Sequence, residues 1–311
     1  MNTPLTQTRM AYGEALLELG GRRSEIVVLD ADLYTSTRSE LFAKKYPERF
    51  FDIGIAEQDL VSTGAGLAAS NFIPYCNSFA IFLTGRCYDQ IRTQVAYPKL
   101  PVKLVGSSAG LTQGPDGATH QSLEDVALMR ALPNMTVVVP ADAEETRQAT
   151  MALADVAGPA YMRLGRYPVP ALFGPDYRFE VGRMKPMRAG GDIVIFATGH
   201  MTWKALEAAE LLARERVEAR VINVATIKPL NEVEVFTYAQ GVQRAFTVEE
   251  HNIIGGLGSA VAEVLSARGA TPLTRLGVRD VFGESGTADE LLEKHGLQPK
   301  GICASILAAL R

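Results

Sequence analysis

Three places in this 311-residue sequence combine side chains that can move protons or hold a polar ligand. Glu57 stands where an apolar run, Phe50 to Ile55, meets "EQDLVSTGAGLAAS", a stretch whose small residues suit a closely packed helix. A carboxylate taken out of water there costs roughly several kcal/mol unless a partner compensates. A dedicated ligand or the dipole of a helix N-terminus could each supply that compensation. The second place is the loop "SSAGLTQGPDGATHQ", residues 107 to 121, whose three glycines let the backbone fold closely around a ligand. It sets an acid, Asp116, and an imidazole, His120, beside that ligand, a pairing suited to hydrogen-bonding and proton transfer. An isolated loop histidine is commonly only solvated, and here its company weighs against that. The third place is "NSFAIF", where Phe79 and Phe82 stand three apart and, by spacing alone, read as core.

These residues need elements to position them. Short apolar runs at 25–30, 50–55, 101–106, 136–140 and 160–164 alternate with amphipathic stretches, the pattern of a parallel, doubly wound sheet. Loops after such strands gather at one sheet edge, where ligands of open α/β sheets bind. "DADLYTSTR", "AEQ", the glycine loop and "RLGR" all fall there. Residues 171–190 are rich in Pro, Gly and Arg and lack periodicity, so they read as a linker. A second α/β block follows, with strands expected at 192–199, 218–225, 243–250 and in "TRLGV". The expected fold is therefore α/β with two doubly wound domains, 1–170 and 191–311, each a mostly parallel sheet with helices on both faces. Capping boxes are expected at Asp142 with Glu145, Asn231 with Glu234, and Thr287 with Glu290.

Composition narrows the function classes. The chain is 47% hydrophobic and 21% charged, with formal net charge -4 and pI near 5.7, which gives no footprint for nucleic acid or an anionic membrane. No apolar run is long enough to span a bilayer and the N-terminus does not read as a leader, so a cytoplasmic location is expected. Cys76, Cys87 and Cys303 show no CxxC spacing and read as buried structural thiols. "GGLGSA", 255 to 260, lacks the third glycine of a dinucleotide fingerprint.

The order "DADLYTS", "FFDIGIAEQ", "NFIPYCNSFAIF", "YDQIR", "GPDGATHQSLEDVALMRALPNMTVVVPADAEET", "YMRLGR" and "VEEHNIIGGLGSAVAEVL" resembles the pyrimidine-binding and C-terminal domains of transketolases over essentially the whole chain. The resemblance implies a thiamine diphosphate enzyme that moves a two-carbon ketol unit from a ketose phosphate to an aldose. It implies that a glutamate at Glu57 hydrogen-bonds a ring nitrogen of the cofactor's aminopyrimidine and so promotes removal of the C2 proton, with Phe79 and Phe82 packing on the ring. Asp32 matches an acid near the cofactor at a subunit interface. Asp116 and His120 match residues that hydrogen-bond substrate oxygens, and Arg9, Ser36 and Arg163 match three that hold the sugar phosphate. An aromatic of the family falls at Gly85, leaving that wall open or filled by Tyr88, and Ser107-Ser108 stands where the family has a phosphate-binding histidine. No metal ligand is expected in this chain. The diphosphate and Mg²⁺ site is expected on an N-terminal transketolase partner subunit, the two forming a heterotetramer. Related readings are a deoxyxylulose-phosphate-synthase-like chain or a 2-oxoacid dehydrogenase beta subunit. A non-catalytic scaffold is the reading from another class.

Overall fold

The computed structural model describes residues 5–267, 269 and 271–311. Met1–Pro4, where the segment read for a leader begins, lie outside the described residues, as do Arg268 and Ala270.

The N-terminal block contributes strands β1 (Ile26–Asp30), β2 (Phe50–Asp52), β3 (Ile73–Phe79), β4 (Lys103–Ser107), β5 (Thr136–Val138) and β6 (Ala160–Arg163). They run parallel in the order β5-β6-β4-β3-β1-β2. Successive side chains of a strand point to opposite faces, and both faces here are covered. Ile26 and Val28 of β1 pack with Tyr12 and Leu16 of helix Thr8–Arg22 and with Ala149 and Leu153 of helix Ala143–Ala154. Val27 and Leu29 share a core with Leu60 and Val61 of helix Glu57–Ala69.

The C-terminal block adds β7 (Lys185–Arg188), β8 (Ile193–Ala197), β9 (Ala219–Asn223), β10 (Thr226–Lys228), β11 (Arg244–Asn252) and β12 (Leu273–Val278). Five of these form a second sheet, β12-β11-β8-β9-β7, parallel except for the antiparallel edge strand β7. The expected class, α/β with two mostly parallel domains, is the one observed.

Several local expectations are corrected. β3, in the middle of the first sheet, is absent from the apolar runs because Pro74, Asn77 and Ser78 interrupt it. Its buried Asn77 is satisfied by Tyr12 Oη, which donates to Oδ1, and by the carbonyls of Leu29 and Tyr75, to which Nδ2 donates. The strand expected over 50–55 stops at Asp52, since Gly54 turns the chain at φ 78°. Residues 171–190 contain β7, and β10 leaves its own block to pair antiparallel with β5. Of the expected capping boxes, Thr287 with Glu290 closes in both directions. Asp142 and Asn231 accept the backbone N–H of Glu145 and Glu234, but those glutamates turn elsewhere. Glu234 accepts from the Met184 N–H.

Glu145 is buried where three parts of the chain meet. Its carboxylate accepts from the Ala141 N–H at 2.7 Å, Tyr177 Oη at 2.5 Å and Asn223 Nδ2 at 2.8 Å. Removing it strands two buried donors and the half-buried Tyr177 hydroxyl, so Glu145→Ala is expected to cost on the order of 3 kcal/mol, read as a lower denaturant midpoint at unchanged slope. Burial pushes the Glu145 carboxyl up to about 7 from an ordinary 4.5. The folded chain then keeps a proton that the unfolded chain releases. Its stabilising contribution is complete below about pH 4.5 and is lost as pH rises through about 7. Glu145→Gln should flatten that part of the stability profile, and equal slopes in the two proteins would refute the assignment.

Cys76, Cys87 and Cys303 are free and buried, as expected of structural thiols, and burial pushes all three upward. Among the described residues no helix is long and apolar enough to cross a membrane.

Candidate active site

The parallel register of the first sheet brings the sequence-distant candidates to its carboxyl edge. Glu57 follows β2 as the first residue of helix Glu57–Ala69 and is only 2% exposed. Its partner is Arg86, whose Nη1 lies 3.1 Å from Oε2. The same guanidinium stacks over the Phe82 ring, 4.6 Å from its centroid. Arg86 lies 29 residues from Glu57 and ends a π-helical turn, Phe82–Arg86, so periodicity carried no signal of the pair. Phe79 and Phe82 are stacked, with centroids 6.0 Å apart and planes at 19°. His120 arrives from the glycine loop and stands edge-on to both, 5.2 Å from Phe82 and 6.3 Å from Phe79. Its Nδ1 is 2.9 Å from Thr119 Oγ1. At Gly85 an added Cβ would meet nothing within 4 Å, so that wall is open, and Tyr88 packs against the core instead.

The glycine loop is held from the second domain. Glu250 of β11 accepts the Thr112 N–H at 2.5 Å, and Gly110, at φ 87°, comes so close that a Cβ would fall 2.2 Å from that carboxylate. Gln121 ties the loop to itself through the carbonyls of Leu111 and Gly114, and to the second domain through that of Glu284. Asp116 accepts from Gln113 Nε2 and lies 3.7 Å from Arg166 Nη1.

Arg166 opens a second cluster. Arg9 donates to Gln7 Oε1 and to the carbonyl of Ser36, both at 2.9 Å, and neither partner neutralises it. Burial, Arg166 and then Arg38 pull the Arg9 guanidinium down to about 10. Guanidiniums that disfavour one another's charge at one spot suit an anion. Ser36 lies in a short helix, Tyr34–Thr37, within the segment after β1 that Asp30 organises by accepting from the Leu33 N–H, Thr37 Oγ1 and Ser39 Oγ. Burial pushes Asp30 up to about 6. Asp32 is exposed at the start of that loop, at φ 58°, and its N–H donates to Asp52 Oδ1. Sequence reasoning passed over Arg38 and Arg166; the signal for Arg166 was its place in "RLGR", one turn beyond a strand end.

One expectation needs correction. Arg163 does not face this cluster. It is 7% exposed, and its Nε donates to both oxygens of Asp125 at 2.9 and 3.2 Å while Nη2 donates to the carbonyls of Ser122 and Glu250. Nε and Nη2 are spent at the junction between domains and Nη1 lies 4.0 Å from Glu250 Oε2, so the guanidinium is held by this chain's own acids and carbonyls. Ser107 and Ser108, which stand where the family has a phosphate-binding histidine, are buried, and their hydroxyls meet no hydrogen-bond partner among the described residues.

Comparison with known proteins gives the family. Residues 6–170 match the model of the transketolase pyrimidine binding domain and residues 182–302 that of the transketolase C-terminal domain. A Methanocaldococcus jannaschii protein carrying the name transketolase C-terminal section is 44% identical over 306 residues, covering 97% of this chain and 96% of its own length. A 6-deoxy-6-sulfo-D-fructose transketolase subunit of Clostridium sp. (strain MSTE9) is 43% identical over 294 residues, covering 94% of this chain and 91% of its own. A solved structure described as a split gene transketolase, inactive beta4 tetramer, superposes with TM-score 0.91 at 50% identity and covers 98% of each chain. The chain belongs to the transketolase family, of which it comprises the pyrimidine-binding and C-terminal domains.

Proposed function

We propose that this chain is the C-terminal half of a split transketolase which, with an N-terminal partner subunit and thiamine diphosphate, transfers a two-carbon ketol unit from an anionic ketose to an aldose. The observation that carries the reading is the meeting of Glu57, the Phe79–Phe82 pair and His120 at the sheet edge that also bears Arg9 and Arg166. The Glu57 pocket suits an aminopyrimidine: a buried carboxylate for a ring nitrogen, a phenyl face for stacking, and open space beside Gly85. Thiamine diphosphate, when bound, supplies a ring carbon that can add to a ketone and carry the transferred unit. Its diphosphate and Mg²⁺ are assigned to the partner subunit, in an assembly with two copies of each chain.

The residues of this chain have separate tasks in that reaction. Glu57 shares a proton with the ring nitrogen, and Phe79 and Phe82 fix the ring plane. His120, its Nδ1 engaged by Thr119, turns Nε2 toward a substrate oxygen. Asp116 accepts from a substrate hydroxyl. Arg9 and Arg166 hold the terminal anion by charge-assisted hydrogen bonds, with Ser36 adding a neutral one. Asp32 lies at the contact with a neighbouring subunit. A relative named for a sulfonated sugar and this chain's arginines agree in chemical class, since phosphate and sulfonate are both terminal tetrahedral anions.

The test is reconstitution. With thiamine diphosphate, Mg²⁺ and a ketose phosphate, this chain alone should show no turnover, and addition of a chain bearing the diphosphate-binding domain should restore it. Turnover by this chain alone overturns the proposal.

A further inference from the structure

We propose that Arg86 occupies the place of the cofactor's aminopyrimidine in the free chain, and that the ring must displace it to bind. The inference rests on the ring site proposed above and adds a residue to which no role is otherwise assigned.

Glu57 is buried, and a buried carboxylate without a partner is strongly unfavourable. The cofactor cannot be that partner before it binds. Arg86 satisfies both demands of the site at once: Nη1 bonds the carboxylate at 3.1 Å, and the planar guanidinium lies over the Phe82 face at 4.6 Å. An aminopyrimidine would use those same two contacts, an edge hydrogen bond to the carboxylate and a stack on the phenyl ring. One carboxylate oxygen and one ring face thus have two claimants. Their chemistry also conflicts, because an ion pair needs the carboxylate charged, whereas the proposed catalysis needs it to present a proton.

The local backbone suits a side chain that leaves. The Arg86 side chain is 46% exposed, so its exit leads to solvent. Its neighbour Gly85 has open space around it. Gln58 Nε2 donates to the Arg86 carbonyl at 3.0 Å, which holds the main chain while the side chain swings. Phe82 also stacks with Phe79 and has His120 edge-on to it, so the ring keeps two aromatic neighbours when the guanidinium departs.

The test uses the full chain and the uncharged probe 4-amino-5-hydroxymethyl-2-methylpyrimidine, which avoids any need for the diphosphate site. Probe affinity is read by ligand-observed NMR. Arg86→Met keeps the stem and removes the competitor, so it should bind the probe about three- to tenfold more tightly. Adding Phe82→Ala to that variant should abolish the gain. Because Arg86→Met also leaves Glu57 without its cation, a second measurement uses the unsubstituted chain. The Arg86 guanidinium resonance, identified by its loss in Arg86→Lys, should shift to the position of a solvated arginine as the probe saturates. Unchanged or weaker binding by Arg86→Met, or a guanidinium resonance indifferent to the probe, overturns the displacement. Probe binding indifferent to both Phe82→Ala and Glu57→Gln would instead remove the ring site itself, and the inference with it.

Discussion

Glu57→Gln, in the complex reconstituted with its partner, is expected to slow hydrogen–deuterium exchange at the cofactor's C2 by a factor of about a hundred or more, with assembly intact. The amide is nearly isosteric with the acid. In the free chain its oxygen can still accept from Arg86, whose donor lies 3.1 Å away, so the local fold there has little reason to change. What the amide lacks is a proton shared with a ring nitrogen. If Glu57 served only to complement the N-terminus of helix Glu57–Ala69, the substitution would cost a few tenths of a kcal/mol, roughly, and leave exchange untouched. The two roles are therefore separated by a rate. Exchange in the variant as fast as in the unsubstituted complex would assign Glu57 to structure. C2 exchange precedes any encounter with sugar, so the answer does not depend on which ketose is the donor.

The same residue shows how far sequence reading reaches. Its position at a strand–helix junction, among residues too small to shield a charge, was visible in the order of letters, and so was the need for a partner. The partner was not visible, because Arg86 meets it only after helix Glu57–Ala69 and β3 have folded and a π-helical turn has displaced the usual spacing. β3 was obscured by its own polar residues. Asn77 is tolerated at the centre of the sheet because Tyr12, Leu29 and Tyr75 complete its hydrogen bonds, and those are tertiary facts. β10 was hidden for a different reason: three residues that pair with the other block's edge have no pattern of their own. The loop bearing Asp116 and His120 was legible as a ligand loop from its glycines. That Glu250 of the other domain holds it, through an N–H that no side chain announces, was not.

The two arginines of "RLGR" separate a structural charge from a proposed binding one, and substituting each should fail in a different measurement. Arg163→Met leaves Asp125 buried with its cation gone and removes donors from the carbonyls of Ser122 and Glu250. Breaking one side of a buried pair costs about 3–5 kcal/mol, so the variant should unfold at a markedly lower denaturant concentration. Arg166 is 44% exposed, with Asp116 its ion partner at 3.7 Å, a surface pair worth at most about 1 kcal/mol. Arg166→Ala should therefore keep nearly all the stability and lose affinity for the donor's terminal anion, lowering kcat/KM about tenfold or more through a raised KM. A matched ketose without that anion supplies the control. The reaction with it should be slow in the unsubstituted complex and little changed by Arg166→Ala. An equal loss for both sugars would place Arg166 in loop packing through Asp116 rather than in substrate binding. An Arg163→Met chain of full stability would mean that Asp125 and Glu250 do not depend on that guanidinium, and would reopen the question of what Arg163 holds.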